Sequence, residues 1–429
     1  MTAAIGPLLI ALASLILRLF NLASIKTPIF DEIYYVDGAR DYLKYGVEVT
    51  GSDPEFIVHP PVGKWMIAAG IKLFGDNPLG WRFMTALVGS LMILLIALIA
   101  HRLFYSPILT ALAAGLMAFD GLALVHSRTA LLDNFLAFFI LCATYFFVAR
   151  RYWWCGLFLG LALATKWSAL YFILIFGAIA LYRAFAHHTG RDLIRPSLAR
   201  IASFGILPLA VYITSWWGWF ASARGWDRNY SSNPISSFFF YHEEMLNFHT
   251  GLSEKHPYQA NPWSWLIMGR PTSFFYETPN SCGADACSQE VLALGTPFLW
   301  WAATIALAVV IGFWIRTLLQ RNFDPALTII IVGISAGYLP WFFFQERTVF
   351  NFYSIVFEPF LILALVYCAR LFLTSQRRKS DGAYRFAQIV LFAVFALIAA
   401  NFFYFLPLYI GDVITYQAWQ ARMWFASWI

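Results

Sequence analysis

Charge is scarce in this chain of 429 residues: only 12% are Asp, Glu, Lys or Arg, about half the share of an ordinary soluble domain. A soluble globular class is excluded on that ground. Cysteine is sparse as well. Cys142, Cys155 and Cys368 fall inside apolar stretches and read as small apolar residues, and no Cys/His pair stands at zinc spacing. The eight histidines are scattered; His101, His187 and His188 read as loop residues facing solvent. There is no Walker loop, no GxSxG elbow, no HExxH and no dinucleotide fingerprint. An ATP-driven pump and a serine hydrolase are thereby excluded. No internal repeat is found, where a transporter usually has paired halves.

What the chain has instead is apolar residues, 60% of the total, and a mean hydropathy of +0.66. Apolar stretches of about 17–25 residues recur, each enough for a spanning helix. The expectation is an all-α polytopic membrane protein of about eleven spans, at residues 5–25, 79–100, 107–125, 131–149, 152–165, 167–186, 201–220, 292–315, 325–344, 349–371 and 386–408. The first reads as a retained helix, since no small-residue cleavage site and soluble domain follow it. With the N-terminus cytoplasmic, the inner loops collect Arg150-Arg151, Arg191, Arg195 and Arg200, and Arg377-Arg378-Lys379, against only Asp192, Asp324 and Asp381. The inverse topology violates the positive-inside rule. The net charge of +6 is therefore topology and implies no nucleic-acid partner.

Two long external loops remain, residues 26–78 and 221–291, with an external tail at 409–429. The first loop carries Asp31-Glu32 close after the first span, where acids usually face a cavity or a partner. Tyr34, Gly38, Tyr42 and Tyr45 fall at helical spacing, as do Val62, Trp65, Met66, Ala69 and Leu73 after Pro60-Pro61. Both runs read as helices lying in the interface. The second loop, rich in aromatics, Pro and Asn, reads as a lid of irregular backbone. Cys282 and Cys287 sit in it, on the side where disulfides persist, and a disulfide is expected over two free thiols. Three short external hairpins each carry one cation: Arg128, Lys166 and Arg347. Each alone reads as a snorkelling side chain. Together, on the face that holds the acid pair, they suit a lipid phosphate, which Arg can grip bidentately.

Phe30-Asp31-Glu32, His59-Pro60-Pro61-Val62-Gly63-Lys64, Asp120 with Ser127-Arg128-Thr129-Ala130-Leu131-Leu132-Asp133, Ala164-Thr165-Lys166-Trp167, and Arg347 through Tyr353 come in a definite order. That order resembles the protein O-mannosyltransferases. The likeness runs from the first span to about residue 360. It departs at Val62, where Leu is usual, and at Asn351-Phe352-Tyr353, which replaces a His-bearing stretch. The resemblance implies a GT-C glycosyltransferase fold, as one transmembrane domain over residues 1–429. It also implies transfer of mannose from a polyprenyl-phosphate carrier to Ser or Thr hydroxyls of exported proteins. Eukaryotic relatives insert a β-trefoil domain in the second external loop. Here that loop is too short for one, so the chain looks like a compact bacterial form.

The chemistry agrees. A serine hydroxyl needs a base, and a positioned carboxylate contributes roughly 10²–10⁴-fold. The leaving lipid phosphate needs cations more than an acid, so direct displacement with inversion suffices. The resemblance assigns the base to Asp31. Glu32 is expected to orient donor sugar or acceptor. Arg128, Lys166, Arg347, His59, Lys64 and Tyr353 are expected on the donor, and Asp133 is expected as the structural partner of Arg128. No metal is expected to be required, with Mg²⁺ or Mn²⁺ on Asp31-Glu32 as the alternative. The expected partners are polyprenyl-phosphate-mannose, Ser/Thr-containing secreted or membrane proteins, the export machinery and the bilayer, with the active site on the outer face of the plasma membrane. Two other readings stay open here: a GT-C transferase that modifies a lipid, of the aminoarabinose type, and a non-catalytic lipid-phosphate transporter.

Overall fold

A computed structural model describes residues 2–49 and 58–429; residues 50–57 of the first external loop lie outside it. Among the described residues, seven helices are long and apolar enough to cross a bilayer: Pro78–Phe104, Ala169–His187, Gly190–Ser215, Pro297–Leu319, Pro325–Phe343, Glu358–Arg377 and Asp381–Ile410. Four shorter apolar helices, Ile5–Leu19, Pro107–Ala118, Leu132–Val148 and Tyr152–Leu163, stand where the other expected spans lie. They fall short of the ~20 residues that span hydrocarbon unaided. One reason is visible after Ala118. The Asp120 carboxylate accepts from the Ala123 amide at 3.1 Å and opens a separate short helix, Gly121–His126. The single span expected at 107–125 is therefore two helices.

Caps set several starts. Asn77, Ser106, Asn233 and Asp324 each precede a proline, and each side chain accepts from an amide of the helix that follows. Proline at the first helical position gives up an amide that has no intrahelical partner. The long helix α4 (Pro78–Phe104), fourth in the chain, forms the centre. It packs on α1 (Thr2–Leu19), α3 (Val62–Phe74), α5 (Pro107–Ala118) and α7 (Leu132–Val148). Met92, Ile93, Ile96, Ala97 and Ile99 are almost wholly inaccessible there. In lipid such contacts gain by close packing more than by leaving water.

In the first loop, α2 (Glu32–Tyr45) and α3 form where periodicity predicts them. The expected common face of α2 splits, however: Tyr34 is exposed while Gly38 is buried against Glu48 and Lys64. The second loop corrects the expectation more strongly, because about half of it is regular. Helix Pro234–Gly251 leads to a hairpin of β1 (Thr272–Glu277) and β2 (Cys287–Ala293), paired from Thr272–Ala293 to Glu277–Gln289 with a bulge between Ser273 and Phe275. The tail then adds β3 (Val413–Thr415), antiparallel to β2. The fold is thus not purely helical. The expected bond between Cys282 and Cys287 is present, with Cα atoms 5.8 Å apart, at the hairpin turn.

The tail is bound down beyond the sheet. Trp419 Nε1 donates to Glu290 at 2.5 Å, Trp428 Nε1 to the Met268 carbonyl at 2.8 Å, and Arg270 Nη1 to the carbonyls of Ser427 and Ile429.

Candidate functional site

The chain between α1 and α2 carries Asp31, and two buried arginines hold that stretch by its carbonyls. Arg128 donates to the carbonyls of Leu17, Arg18, Phe20, Asn21 and Ile410, at 2.7–3.5 Å. Arg82 donates to those of Leu22, Ile25 and Thr27, at 2.8–3.3 Å. Carbonyls left over at a helix end and in an irregular segment are costly in an apolar setting, and guanidinium forks satisfy several at once. Phe30 then takes a left-handed backbone, φ 49°, a conformation that costs a bulky residue about 1–3 kcal/mol. Aromatic packing holds it there: its ring stacks on Phe274 at 4.7 Å and meets Phe352 edge-on at 5.4 Å.

The two adjacent acids then part company, since neighbouring positions at the start of a helix point about 100° apart. Glu32 is fully buried. It takes a bidentate grip from Arg82 at 2.8 and 2.7 Å and accepts from the amides of Ile29 at 2.9 Å and Ala130 at 2.7 Å. Its oxygens are fully engaged, so the expectation that Glu32 orients donor or acceptor gives way to a structural role. Asp31 is only partly buried. Its one side-chain hydrogen bond among the described residues comes from the Tyr35 hydroxyl at 3.4 Å. Desolvation pushes its carboxyl up to about 6, against the pull of Lys166 and with a push from Asp133.

A cavity of about 240 Å³ is lined among others by His59, Lys166, Trp167, His249, Trp341 and Arg347. Asp31 is not in its lining but is tied to it through Tyr35, whose hydroxyl bonds Asp31 and whose ring lies 5.9 Å from that of His59. Lys166 Nζ bonds both oxygens of Asp133 at 2.9 Å and lies 4.5 Å from the centre of the Tyr353 ring. Arg347 Nη2 donates to His249 Nδ1 at 3.3 Å, while His249 Nε2 donates to the Val58 carbonyl at 2.7 Å. Those two bonds select the neutral tautomer. Burial pushes His249 down to about 4, with Arg347 adding to it; burial likewise lowers His59 well below the usual range. The charged donors on this cavity are therefore Lys166 and Arg347. Arg347 Nε is buried without a hydrogen-bond partner among the described residues, an orphan donor of the kind a ligand oxygen satisfies. Trp167 is fixed from behind: its Nε1 donates to Tyr212 at 2.9 Å, whose hydroxyl donates to His242 at 2.8 Å.

Of the predicted donor residues, the fold gathers Lys166, Arg347, His59 and Tyr353 and leaves out two. Arg128 spends its guanidinium on backbone carbonyls and sits in a different crevice, with Leu22, Arg82 and Ile410. Its expected partner Asp133 pairs with Lys166 instead. The reason is local: Arg128 follows the helix Gly121–His126, whereas Asp133 is in the first turn of α7, and residues 129–131 turn the chain between them. Lys64 is buried and paired with Glu48, which removes it from the donor cavity. Its motif still matters, because the Val62 amide donates to the Ala164 carbonyl at 2.9 Å. A Cβ on Gly63 would meet Leu132 at 2.6 Å, so the three motif strings close on one another through a glycine.

Sequence reasoning missed Arg82, although a signal existed: an arginine within an apolar span needs a buried partner. It also missed the roles of His249, Tyr35 and Glu48, which only the tertiary structure assigns. No group of three His, Cys, Asp or Glu able to hold a metal occurs among the described residues. The oxygens of Glu32, one of the two carboxylates considered for Mg²⁺ or Mn²⁺, are engaged by Arg82 and two backbone amides.

The family model for dolichyl-phosphate-mannose-protein mannosyltransferase matches residues 76–220, and that for the C-terminal four-span region of protein-O-mannosyltransferase matches residues 234–428. Polyprenol-phosphate-mannose–protein mannosyltransferase of Mycobacterium tuberculosis is 33% identical, over 98% of this chain and 91% of that one. The enzyme of the same name from Corynebacterium glutamicum is 31% identical, over 98% and 92%. Among solved structures, a chain of the S. cerevisiae protein O-mannosyltransferase Pmt1-Pmt2 complex bound to the sugar donor superposes with a TM-score of 0.83 at 16% identity, covering 100% of this chain and 93% of that one. ArnT from Cupriavidus metallidurans bound to undecaprenyl phosphate reaches 0.56 at 17% identity, over 94% and 76%. The expected GT-C fold is the one these structures share.

Proposed function

The chain belongs to the protein O-mannosyltransferase family, and we propose that it moves mannose from polyprenyl-phosphate-mannose to Ser and Thr hydroxyls of exported proteins, on the outer face of the plasma membrane. The observation that carries this reading is a carboxylate, Asp31, without an ion pair among the described residues, within electrostatic reach of Lys166, one of two cations that line a single cavity. Asp31 takes the proton of the acceptor hydroxyl as its oxygen attacks the anomeric carbon. The bond from that carbon to the phosphate oxygen breaks, and the configuration inverts. The carrier leaves as a phosphate whose charge Lys166 and Arg347 neutralise. Apolar surface from Trp167, Leu170, Tyr171 and Trp341 lines the same cavity and suits the first isoprene units. The two cations support a reaction without a required metal, so transfer is expected to persist in EDTA. Positive-inside charge bias supports the topology, with the N-terminus cytoplasmic. Chains leaving the export machinery are the natural acceptors on that face.

A transfer assay with the purified chain in a bilayer, polyprenyl-phosphate-mannose and a threonine-rich peptide tests the reading. Mannosylated peptide is expected. Transfer only from another sugar carrier, or mannose delivered to a lipid instead of the peptide, overturns it.

Two predictions arise directly. Arg347→Ala removes a charge-assisted contact worth about 1.5–3 kcal/mol, so the donor KM should rise about 10- to 100-fold in an initial-rate titration. Arg128→Lys should lower the melting temperature and leave the donor KM unchanged, because its fork holds carbonyls. The second concerns pH. Asp31 works as a base only when ionised, and its pKa is raised to about 6. Below that pH it carries the proton, so kcat/KM should rise through pH 6 and level off above it. Lys166 pulls this pKa down, so in Lys166→Met the acid limb should move to higher pH.

A further inference from the structure

Apart from the cavity of Lys166 and Arg347, a groove of about 370 Å³ lies between the far ends of α2 and α3 and the short helix Trp217–Ala221. Tyr42, Leu43, Trp65, Lys72 and Trp217 line it, and none of its described lining residues is acidic. Its floor is tight: a Cβ on Gly218 would stand 2.0 Å from the Gly46 carbonyl oxygen. The surrounding spans set its depth. The helix Gly190–Ser215 ends two residues before Trp217, and α4 begins at Pro78, four residues past the end of α3 at Phe74. The groove thus stands where two spans leave hydrocarbon, the level at which Trp and Tyr concentrate.

Its rim faces outward. Trp217 is 72% and Leu73 67% exposed. Lys72 is exposed and has no hydrogen bond or ion pair among the described residues. Lys44 and Arg224 both lie over the ring of Tyr45, at 4.8 and 5.5 Å, next to Gly46. Cations above an aromatic-walled groove at headgroup depth match one chemistry: a phosphate joined to glycerol and acyl chains.

We infer that this groove binds an anionic phospholipid of the surrounding bilayer, with Lys72 on the phosphate and Trp65 and Trp217 against the glycerol and upper acyl chains. The site stands apart from the transfer reaction, and because α2 starts beside Asp31, a headgroup at its other end fixes the depth of that helix.

Native mass spectrometry of the full chain, released from nanodiscs of phosphatidylcholine with phosphatidylglycerol as the minor lipid, tests it. Wild type should retain phosphatidylglycerol in preference to phosphatidylcholine. Lys72→Gln should weaken that retention about fivefold, the usual worth of one lysine at an anionic surface. Lys72→Arg should keep it, and Trp217→Ala should lower it. Equal retention by wild type and Lys72→Gln, equal retention of the two lipids, or displacement of phosphatidylglycerol by equimolar polyprenyl phosphate would each overturn the assignment. So would a second copy of the chain covering the groove, seen as a dimer that Lys72→Gln dissociates.

Discussion

Asp31→Asn should lower the transfer rate about 10²–10⁴-fold, the usual contribution of a positioned base. The substitution keeps size and shape but replaces the carboxylate with an amide, whose oxygen is too weakly basic to take the proton. Little structural loss should accompany it, since the only side-chain hydrogen bond at stake among the described residues is the 3.4 Å contact from Tyr35. Donor binding should persist as well, because Lys166 and Arg347 are held by Asp133 and His249 and not by Asp31. Single-turnover rates with saturating donor, alongside a separate measurement of donor affinity, resolve the two effects. Near wild-type turnover in a correctly folded Asp31→Asn chain would remove Asp31 from the role of base.

The positions of Lys166 and Arg347 on one face were legible from topology alone, because charge bias sets the parity of the spans and parity sets which hairpins share a side. What hydropathy could not supply was the choice of partner. Arg128 and Lys166 are both lone cations in short hairpins, with similar sequence surroundings. Packing sends one to the open carbonyls at the end of α1 and the other to Asp133. The same holds for Asp31 and Glu32, which are adjacent in sequence and one helical step apart.

In the second external loop the sequence carries local signals for regular structure. Asn233-Pro234 is a cap followed by a first-turn proline, and Thr272–Glu277 holds Thr272 and the aromatic run Phe274-Phe275-Tyr276, residue types that favour strands. The strand from the tail was less accessible, because Val413–Thr415 is too short to stand out from the helix before it.

Glu32→Gln should destabilise the protein by about 3–5 kcal/mol, the cost of leaving one member of a buried ion pair uncompensated. Arg82 is only 2% exposed, and its charge has no other carboxylate at ion-pair distance among the described residues. The amides of Ile29 and Ala130, which now meet an ionised oxygen, would face a weaker neutral acceptor. Activity should fall too, by an indirect route: Arg82 also holds the carbonyls of Leu22, Ile25 and Thr27, so disturbing the pair loosens the segment that presents Asp31. A double-mutant cycle separates this from chemistry. If the pair is structural, Arg82→Gln should cost clearly less in the Glu32→Gln background than in wild type, the remaining cost being the carbonyls of Leu22, Ile25 and Thr27 that Arg82 also holds. Thermal unfolding in detergent reads that coupling directly. A Glu32→Gln chain that melts with wild type yet loses turnover would return Glu32 to the reaction itself.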